Sequence, residues 1–179
     1  HRNAQGLAFS KNFLINTEHG PSGGDELNIN DISSKKIQNF GWPISSYGEH
    51  VGWGDDEELR KKFYRLAPLH KSHEKYGYVE PKKTCVPSCA ISQVISVPNN
   101  FLNNNSDTVI YGTLGGTSDG GNSLHVIEFS KNYEKITKDS SLFLDRRVRD
   151  MIFVNKHNLI VLYLESLGEL ALIREAQFK

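Results

Sequence analysis

Three glycines, a proline and three acids crowd the stretch Thr17-Glu18-His19-Gly20-Pro21-Ser22-Gly23-Gly24-Asp25-Glu26-Leu27-Asn28. Glycine lets backbone carbonyls turn inward, and proline fixes the local bend. Carbonyl and carboxylate oxygens are the ligands calcium prefers, so this loop could hold a hard cation. An ordinary glycine-rich hairpin loop would read the same way. It is neither an EF-hand nor a phosphate loop, because the required Asp-x-Asp-x-Asp-Gly and Gly-Lys-Ser/Thr elements are absent. A second dense cluster, Phe40-Gly41-Trp42-Pro43 followed by Ser45-Ser46-Tyr47-Gly48-Glu49-His50, offers Glu49 and nearby carbonyls on the same oxygen-ligand logic. Its tryptophan suits core packing more than ligand contact.

A third cluster, Asp145-Arg146-Arg147-Val148-Arg149-Asp150, carries charge of both signs. Arg147 and Arg149 are two apart, so on a strand they project to one face. Two guanidinium forks there match a ligand bearing carboxylates or phosphates. A solvated charge run, with Asp145 and Asp150 as the partners, is the competing reading. Cys85-Val86-Pro87-Ser88-Cys89 leaves three states open: a tight disulfide, two unpaired thiols, or half of a zinc site completed by His70 and His73. Neither a Ser-His-Asp arrangement nor a pair of carboxylates with readable geometry stands out.

These side chains must be positioned by short β-type runs, which glycine, asparagine and aspartate punctuate throughout. Strands are expected at 6–9, 13–17, 26–30, 91–97, 108–114, 123–129, 141–144, 148–154, 159–163 and 169–173. Several are separated by hairpin-length links. One stretch differs. Asp55 to Leu66 has acids in its first turn and bases in its last, and Leu59, Phe63 and Leu66 recur at helical spacing. A single helix is expected there, inside an insertion at about 51–84.

Ten short strands with little helix indicate an all-β sandwich, barrel or propeller. Four-stranded propeller blades take roughly 40–50 residues each, so three would use most of the chain. Weak internal echoes agree with such a period: Leu-Ala-Phe at 7–9 with Met-Ile-Phe at 151–153, and Glu-Leu-Asn-Ile at 26–29 with Glu-Leu-Ala-Leu at 169–172.

The 179 residues amount to one domain or a piece of a larger one. Lysine plus arginine (21) cancels aspartate plus glutamate (21), which argues against a general nucleic-acid or acidic-membrane binder. With 37% apolar and 10% aromatic residues, a folded core is within reach. The longest apolar run, Leu159 to Leu164, is too short to span a bilayer. The opening His1-Arg2-Asn3 has neither initiator methionine nor signal peptide, and reads as a segment of a longer protein.

Arg2-Asn3-Ala4-Gln5-Gly6-Leu7-Ala8-Phe9, Glu18-His19-Gly20-Pro21-x-Gly23-Gly24-Asp25-Glu26-Leu27-Asn28, Phe40-Gly41-Trp42-Pro43-x-x-x-Tyr47-Gly48-Glu49 and Arg147-Val148-Arg149-Asp150 occur in this order. Together they resemble the glucose/sorbosone dehydrogenase family, the soluble PQQ-dependent aldose sugar dehydrogenases. The resemblance covers roughly residues 1–50 and 86–174. It implies a six-bladed β-propeller oxidoreductase, usually exported to the periplasm, of which this chain would be the C-terminal half, about three blades with one helical insertion. The whole of 1–179 is then one partial propeller domain.

The resemblance also assigns roles. Gly20 and Pro21 would give backbone carbonyls to an active-site calcium that touches PQQ. Arg2, Asn3, His19 and Asp25 would surround the cofactor, and Arg147 and Arg149 would face its carboxylates and the sugar. Ser45, Tyr47 and Glu49 resemble a second, structural calcium site. The departures matter as well. Glycine stands in Thr113-Leu114-Gly115-Gly116 where the family often has a cofactor-contacting lysine. Cofactor-facing aromatics are not evident before Pro87-Ser88. The family's catalytic histidine belongs to the N-terminal half, and His19 is not its equivalent.

Two functions follow as expectations. One is a portion of a PQQ- and calcium-dependent sugar dehydrogenase that is inactive alone because its base lies elsewhere. The other is a non-catalytic propeller that has lost PQQ chemistry and serves as a binding or scaffold module. Either way, a partial ring leaves blade faces exposed, and a homo-oligomer is expected.

Overall fold

A computed structural model describes residues 1–52, 54–102, 106–115 and 120–178. Eleven strands lie among them: β1 (Ala4–Ser10), β2 (Phe13–Glu18), β3 (Asp25–Asp31), β4 (Lys83–Cys85), β5 (Ile91–Val97), β6 (Asp107–Thr113), β7 (Ser123–Phe129), β8 (Ile136–Phe143), β9 (Val148–Val154), β10 (Leu159–Leu164) and β11 (Glu169–Ile173). Each sheet is an antiparallel meander of consecutive strands: β1-β2-β3-β4, then β5-β6-β7-β8, then β9-β10-β11. Left-handed residues close the turns between them, Lys11 between β1 and β2, Asn158 between β9 and β10, and Gly168 between β10 and β11. The sheets pack face against face with β1 beside β5 and β5 beside β9. This is a partial β-propeller, as expected.

Two apolar layers hold the blades together. Ile15, Leu27, Ile91, Val109, Tyr111 and Ile127 fill the space between the first and second blades. Ile95, Ile110, Leu124, Val148, Met151 and Ile160 fill the space between the second and third. The middle blade is therefore covered on both faces, and all seven residues of β6 are buried. β5 and β7 beside it are mostly buried as well, whereas β8 at the rim of the same blade is mostly exposed. The outer face of the third blade leaves Ile152, Tyr163, Leu170 and Leu172 exposed.

The inner strands approach closely at two glycines. A Cβ on Gly6 would lie 2.6 Å from the Val94 nitrogen, and one on Gly112 would lie 2.7 Å from Val148 Cγ1. Two buried hydroxyls stitch the same seam: Thr17 Oγ1 donates to the Ser92 carbonyl, and Ser92 Oγ to the Val148 carbonyl, both at 2.5 Å.

Two expected features differ. β4, only three residues long, falls in the stretch read as an insertion. β8 begins at Ile136, five residues before the strand expected at Ser141, because an outermost strand is wet on both sides and shows no alternation. Helix α1 (Glu57–Leu66) forms where expected, with Asp56 accepting from the Leu59 amide at 2.9 Å as its N-cap. Its apolar stripe is not a core face, since Phe63 is 38% and Leu66 70% exposed. Among the described residues, no helix is long and apolar enough to cross a membrane.

His125, on β7, is buried with its ring stacked 4.7 Å from Tyr111 and its Nε2 2.8 Å from the Gly120 carbonyl. Burial pushes this imidazole below its ordinary 6.5. The native state therefore keeps His125 neutral while the unfolded chain takes up a proton. Its stabilising contribution is full above about 6.5 and is lost as pH falls through the lower native value. Urea unfolding should weaken from about pH 7 to about pH 5, by no more than about 1.4 kcal/mol per pH unit from this group. His125→Gln should flatten that slope; an unchanged slope would remove His125 from the account.

Candidate functional site

The inner strands run in the same direction. Their beginnings meet at the Thr17–Ser92–Val148 seam. Their ends, at Phe9–Lys11, Val97–Asn99 and Phe153, line an open cleft of about 470 Å³ at the opposite end. The segments before β1 and β9 therefore emerge on one face of the propeller. The β2–β3 loop and the β10–β11 turn emerge there too, because each blade is a meander. Arg2, Asn3, His19, Gly20, Pro21, Asp25, Arg147 and Arg149 share that face.

The β2–β3 loop is held from several sides. The Asn3 carbonyl accepts from the His19 amide at 3.0 Å, and the Arg2 guanidinium donates to the His19 carbonyl at 3.1 Å. That guanidinium lies 5.3 Å from the centre of the half-buried Trp42 ring, which is thus both packing partner and rim of the site. Asp25, 1% exposed, accepts the Gly20 amide at 3.2 Å on one oxygen and the Ser88 hydroxyl at 2.6 Å on the other. A Cβ on Gly24 would collide with the Gly48 amide, so these glycines let the loop lie flat against residues 47–48. His19 Nε2 is buried and has no hydrogen-bond partner among the described residues.

Arg147 immediately precedes β9, and Arg149 is its second residue. Both forks point the same way, as their spacing predicts, but their partner is neither Asp145 nor Asp150. Glu165, in the β10–β11 turn, takes Arg147 Nε at 2.8 Å and Arg149 Nη2 at 2.8 Å. Those two guanidiniums hold its carboxyl below the usual range. Arg146 alone pairs with Asp145, at 3.5 Å. Nothing in the spacing of the basic run pointed to Glu165.

Ser45, Tyr47 and Glu49 do not converge. Ser45 Oγ donates to the Ser72 carbonyl at 3.2 Å, and the Tyr47 hydroxyl donates to Glu80. Burial, with Glu80 adding to it, pushes Tyr47 up to about 12. Glu49 accepts from Tyr64 and lies 2.7 Å from Lys71, whose ammonium also donates to the Gly48 carbonyl. The Lys71 hydrogen bond is the main cause that lowers the Glu49 carboxyl. A cation already sits on Glu49 and the Gly48 carbonyl, and it is a lysine.

The oxygen-rich chamber lies next door. Glu18 (3% exposed) and Glu26 (6% exposed) accept from the same Asn28 amide, at 2.8 and 3.0 Å. His1 Nδ1 is 2.9 Å from Glu18, and His73 Nε2 is 3.6 Å from Glu26 without a hydrogen bond. A cavity of about 10 Å³, room for one water-sized atom, is lined by Glu18, Glu26, Gly20, Gly24, Ser45 and Ser46 among others. The pairing was visible in principle: Glu18 and Glu26 are register partners across β2 and β3, as are Asn16 and Asn28.

Cys85 and Cys89 form a disulfide, with Cα atoms 5.8 Å apart. This excludes their use as zinc thiolates; His70 instead stacks on Tyr76 at 3.8 Å. Among the described residues, no three His, Cys, Asp or Glu side chains gather into a metal cluster. Thr113, Leu114 and Gly115 carry no lysine toward the face, and Gly116 lies outside the described residues.

A partial propeller with paired guanidiniums and a glycine-rich acidic loop on one face defines the class. The chain belongs to the Glucose / Sorbosone dehydrogenase family, whose profile matches residues 1–172. It is 30% identical over 173 residues to the aldose sugar dehydrogenase YliI of Escherichia coli K12, covering 94% of this chain and 41% of that protein. It is 28% identical over 155 residues to the uncharacterized protein slr1608 of Synechocystis, covering 84% of this chain and 32% of that one. Its fold is similar to the apo crystal structure of the soluble aldose sugar dehydrogenase of E. coli (TM-score 0.67, 24% identity, 97% of this chain and 45% of that one). A glucose dehydrogenase crystal structure is similar as well (TM-score 0.68, 23% identity, 97% and 44%). The chain thus spans less than half the length of the relatives it matches.

Burial pushes the Glu26 carboxyl up to about 8, Glu18 adds repulsion, and the Asn28 amide pulls the other way. The native state therefore keeps a proton that the unfolded chain releases. Stability from this group is full below about 4.5 and is lost as pH climbs through about 8. Denaturant midpoints should fall between about pH 6 and about pH 9. Glu26→Gln should hold its midpoint across that range, and a wild-type midpoint that also holds would show Glu26 to be ionised in the fold.

Proposed function

We propose that this chain forms the cofactor-seating part of a PQQ- and calcium-dependent dehydrogenase that oxidises an aldose. One observation carries the reading: Arg2, Arg147 and Arg149 emerge on the same propeller face as the orphaned His19 imidazole. Arg147 and Arg149 would hold carboxylates of PQQ, Arg2 and Asn3 would flank it, and His19 Nε2 would find its missing partner there. Glu18 and Glu26 supply hard oxygen ligands to a cavity of ion size, which favours a cation there over Ser45, Tyr47 and Glu49. Gly20 and Pro21 would stand between that cation and the cofactor. When bound, PQQ would supply the two-electron acceptor and calcium would polarise it.

The chain's own residues then bind and orient. Asp25 fixes Gly20, the Arg2 contact fixes the His19 carbonyl, and the Arg pair sets the ligand's register. No general base for the sugar hydroxyl is assigned to this chain, so we propose that it acts only with further blades and does not turn over alone. The disulfide favours an oxidising compartment, hence a periplasmic or secreted setting.

Glu165 favours a second reading. It occupies both forks that would hold a ligand, as expected of a propeller that has become a binding or scaffold module. Calorimetric titration of PQQ, with calcium and then with chelator, separates the two. Calcium-dependent binding should weaken about tenfold or more with each of Arg147→Ala and Arg149→Ala, the loss of one charged hydrogen bond. Binding indifferent to chelator and to both substitutions, or absent both here and from a chain that carries the further blades, would overturn the dehydrogenase reading.

We also propose self-association through the bare outer faces, where Leu170 is 73% and Phe9 62% exposed. Sedimentation velocity should show a species heavier than 20.2 kDa that dissociates in Leu170→Lys. A monomer at every loading concentration would count against it.

A further inference from the structure

The Cys85–Cys89 disulfide sits where the first blade hands over to the second. Cys85 is the last residue of β4, and Cys89, fully buried, lies in the link to β5 among Ile15, Leu27 and Ile91. The loop it closes lies directly against the β2–β3 loop. The Gly24 amide donates to the Cys85 carbonyl at 2.8 Å. A Cβ on Gly23 would touch the Ser88 nitrogen at 3.4 Å and Pro87 Cα at 3.6 Å. Ser88 Oγ donates to Asp25 Oδ2 at 2.6 Å and accepts the Ala90 amide at 3.0 Å. The other oxygen of Asp25 holds the Gly20 amide. A continuous path therefore runs from the disulfide through Ser88 and Asp25 to Gly20.

We propose that the Cys85–Cys89 disulfide is a clasp that positions the Gly20–Asp25 loop, so that its reduction loosens the ligand face without unfolding the propeller. The closed ring is short, so it restrains little of the unfolded chain and its main effect is local. The two interblade cores and the Thr17–Ser92–Val148 seam do not pass through it. Reduction by a dithiol is balanced: the protein S–S bond breaks, two protein thiols form, and the reagent's two thiols close into its own disulfide. Cys85 is half-buried rather than enclosed, which gives the reagent a sulfur to attack. The consequence for ligand binding rests on the reading of this face as the cofactor seat; the loosening does not.

The test is amide hydrogen exchange on the protein before and after dithiol treatment. Exchange in the segment 20–25 should rise about fivefold to tenfold on reduction, the equivalent of one net hydrogen bond, while β5 to β7 stay protected. Ser88→Ala, with the disulfide intact, should raise exchange at the Gly20 amide in the same direction. Unchanged exchange in 20–25, or two free thiols titrating in the untreated protein, would overturn the clasp. Equal deprotection of β5 to β7 would overturn it too, by making the bond a staple of the whole fold. A PQQ titration of both forms keeps the readings apart. Binding lost on reduction supports both, whereas no binding to either form, with loop exchange still raised, leaves the clasp standing independently of the cofactor reading.

Discussion

The approach of β1, β5 and β9 governs what the ligand face can be. Two glycines, Gly6 and Gly112, leave space for a neighbouring strand where any side chain would collide. The hydroxyls of Thr17 and Ser92 then satisfy carbonyls that the approach would otherwise bury unpaired. A lost buried hydrogen bond of this kind costs about 1–3 kcal/mol, comparable with the gain from burying one aliphatic side chain. The seam is thus as much polar as apolar. It sets the direction of all three inner strands, and that direction brings Arg2 and Arg147 to one face although they are 145 residues apart in the sequence.

On this frame the face is assembled by shared acceptors. Asp25 serves Gly20 and Ser88 with its two oxygens, and Asn28 divides its amide between Glu18 and Glu26. Burying two carboxylates this close cannot leave both ionised cheaply, and Glu26 answers by holding its proton to about 8. The same pair would be neutralised by a cation in the adjoining cavity, with release of that proton. Lys71 performs the equivalent service at the neighbouring loop, where its ammonium bridges Gly48 and Glu49. Two adjacent loops therefore meet the same electrostatic demand differently, one with a resident ammonium and one with a proton.

Much of this was legible in the residue order. β5, β6 and β7 of the middle blade were legible as short β-type runs, and the helix through its terminal charges and the spacing of Leu59, Phe63 and Leu66. β4 was not, because three residues are too short to show a period, and the first half of β8 was not, because an outer strand wet on both faces carries none. The Arg147 and Arg149 forks were readable from a spacing of two. Glu165 was not, since it reaches them only through the β10–β11 turn. Ser45, Tyr47 and Glu49 illustrate the reverse: clustered in sequence, they point to Ser72, Glu80 and Lys71, because a coil segment has no period to hold side chains on one side.

The bond between the Arg pair and Glu165 bears on what the face recognises. A single carboxylate bound bidentately by one fork and touched by a second is the arrangement a carboxylate ligand would make. Glu165 is about one-third exposed, so solvent screening weakens its ion pairs. A free ligand presenting several carboxylates would lose translational entropy that the tethered Glu165 does not, so displacing it would take contacts beyond the two forks. Under the dehydrogenase reading proposed above, those contacts would come from Arg2 and Asn3, whereas a neutral sugar would offer the forks no charge to exchange. Under the same reading Glu165 would keep the two guanidiniums side by side until a multiply charged ligand took its place.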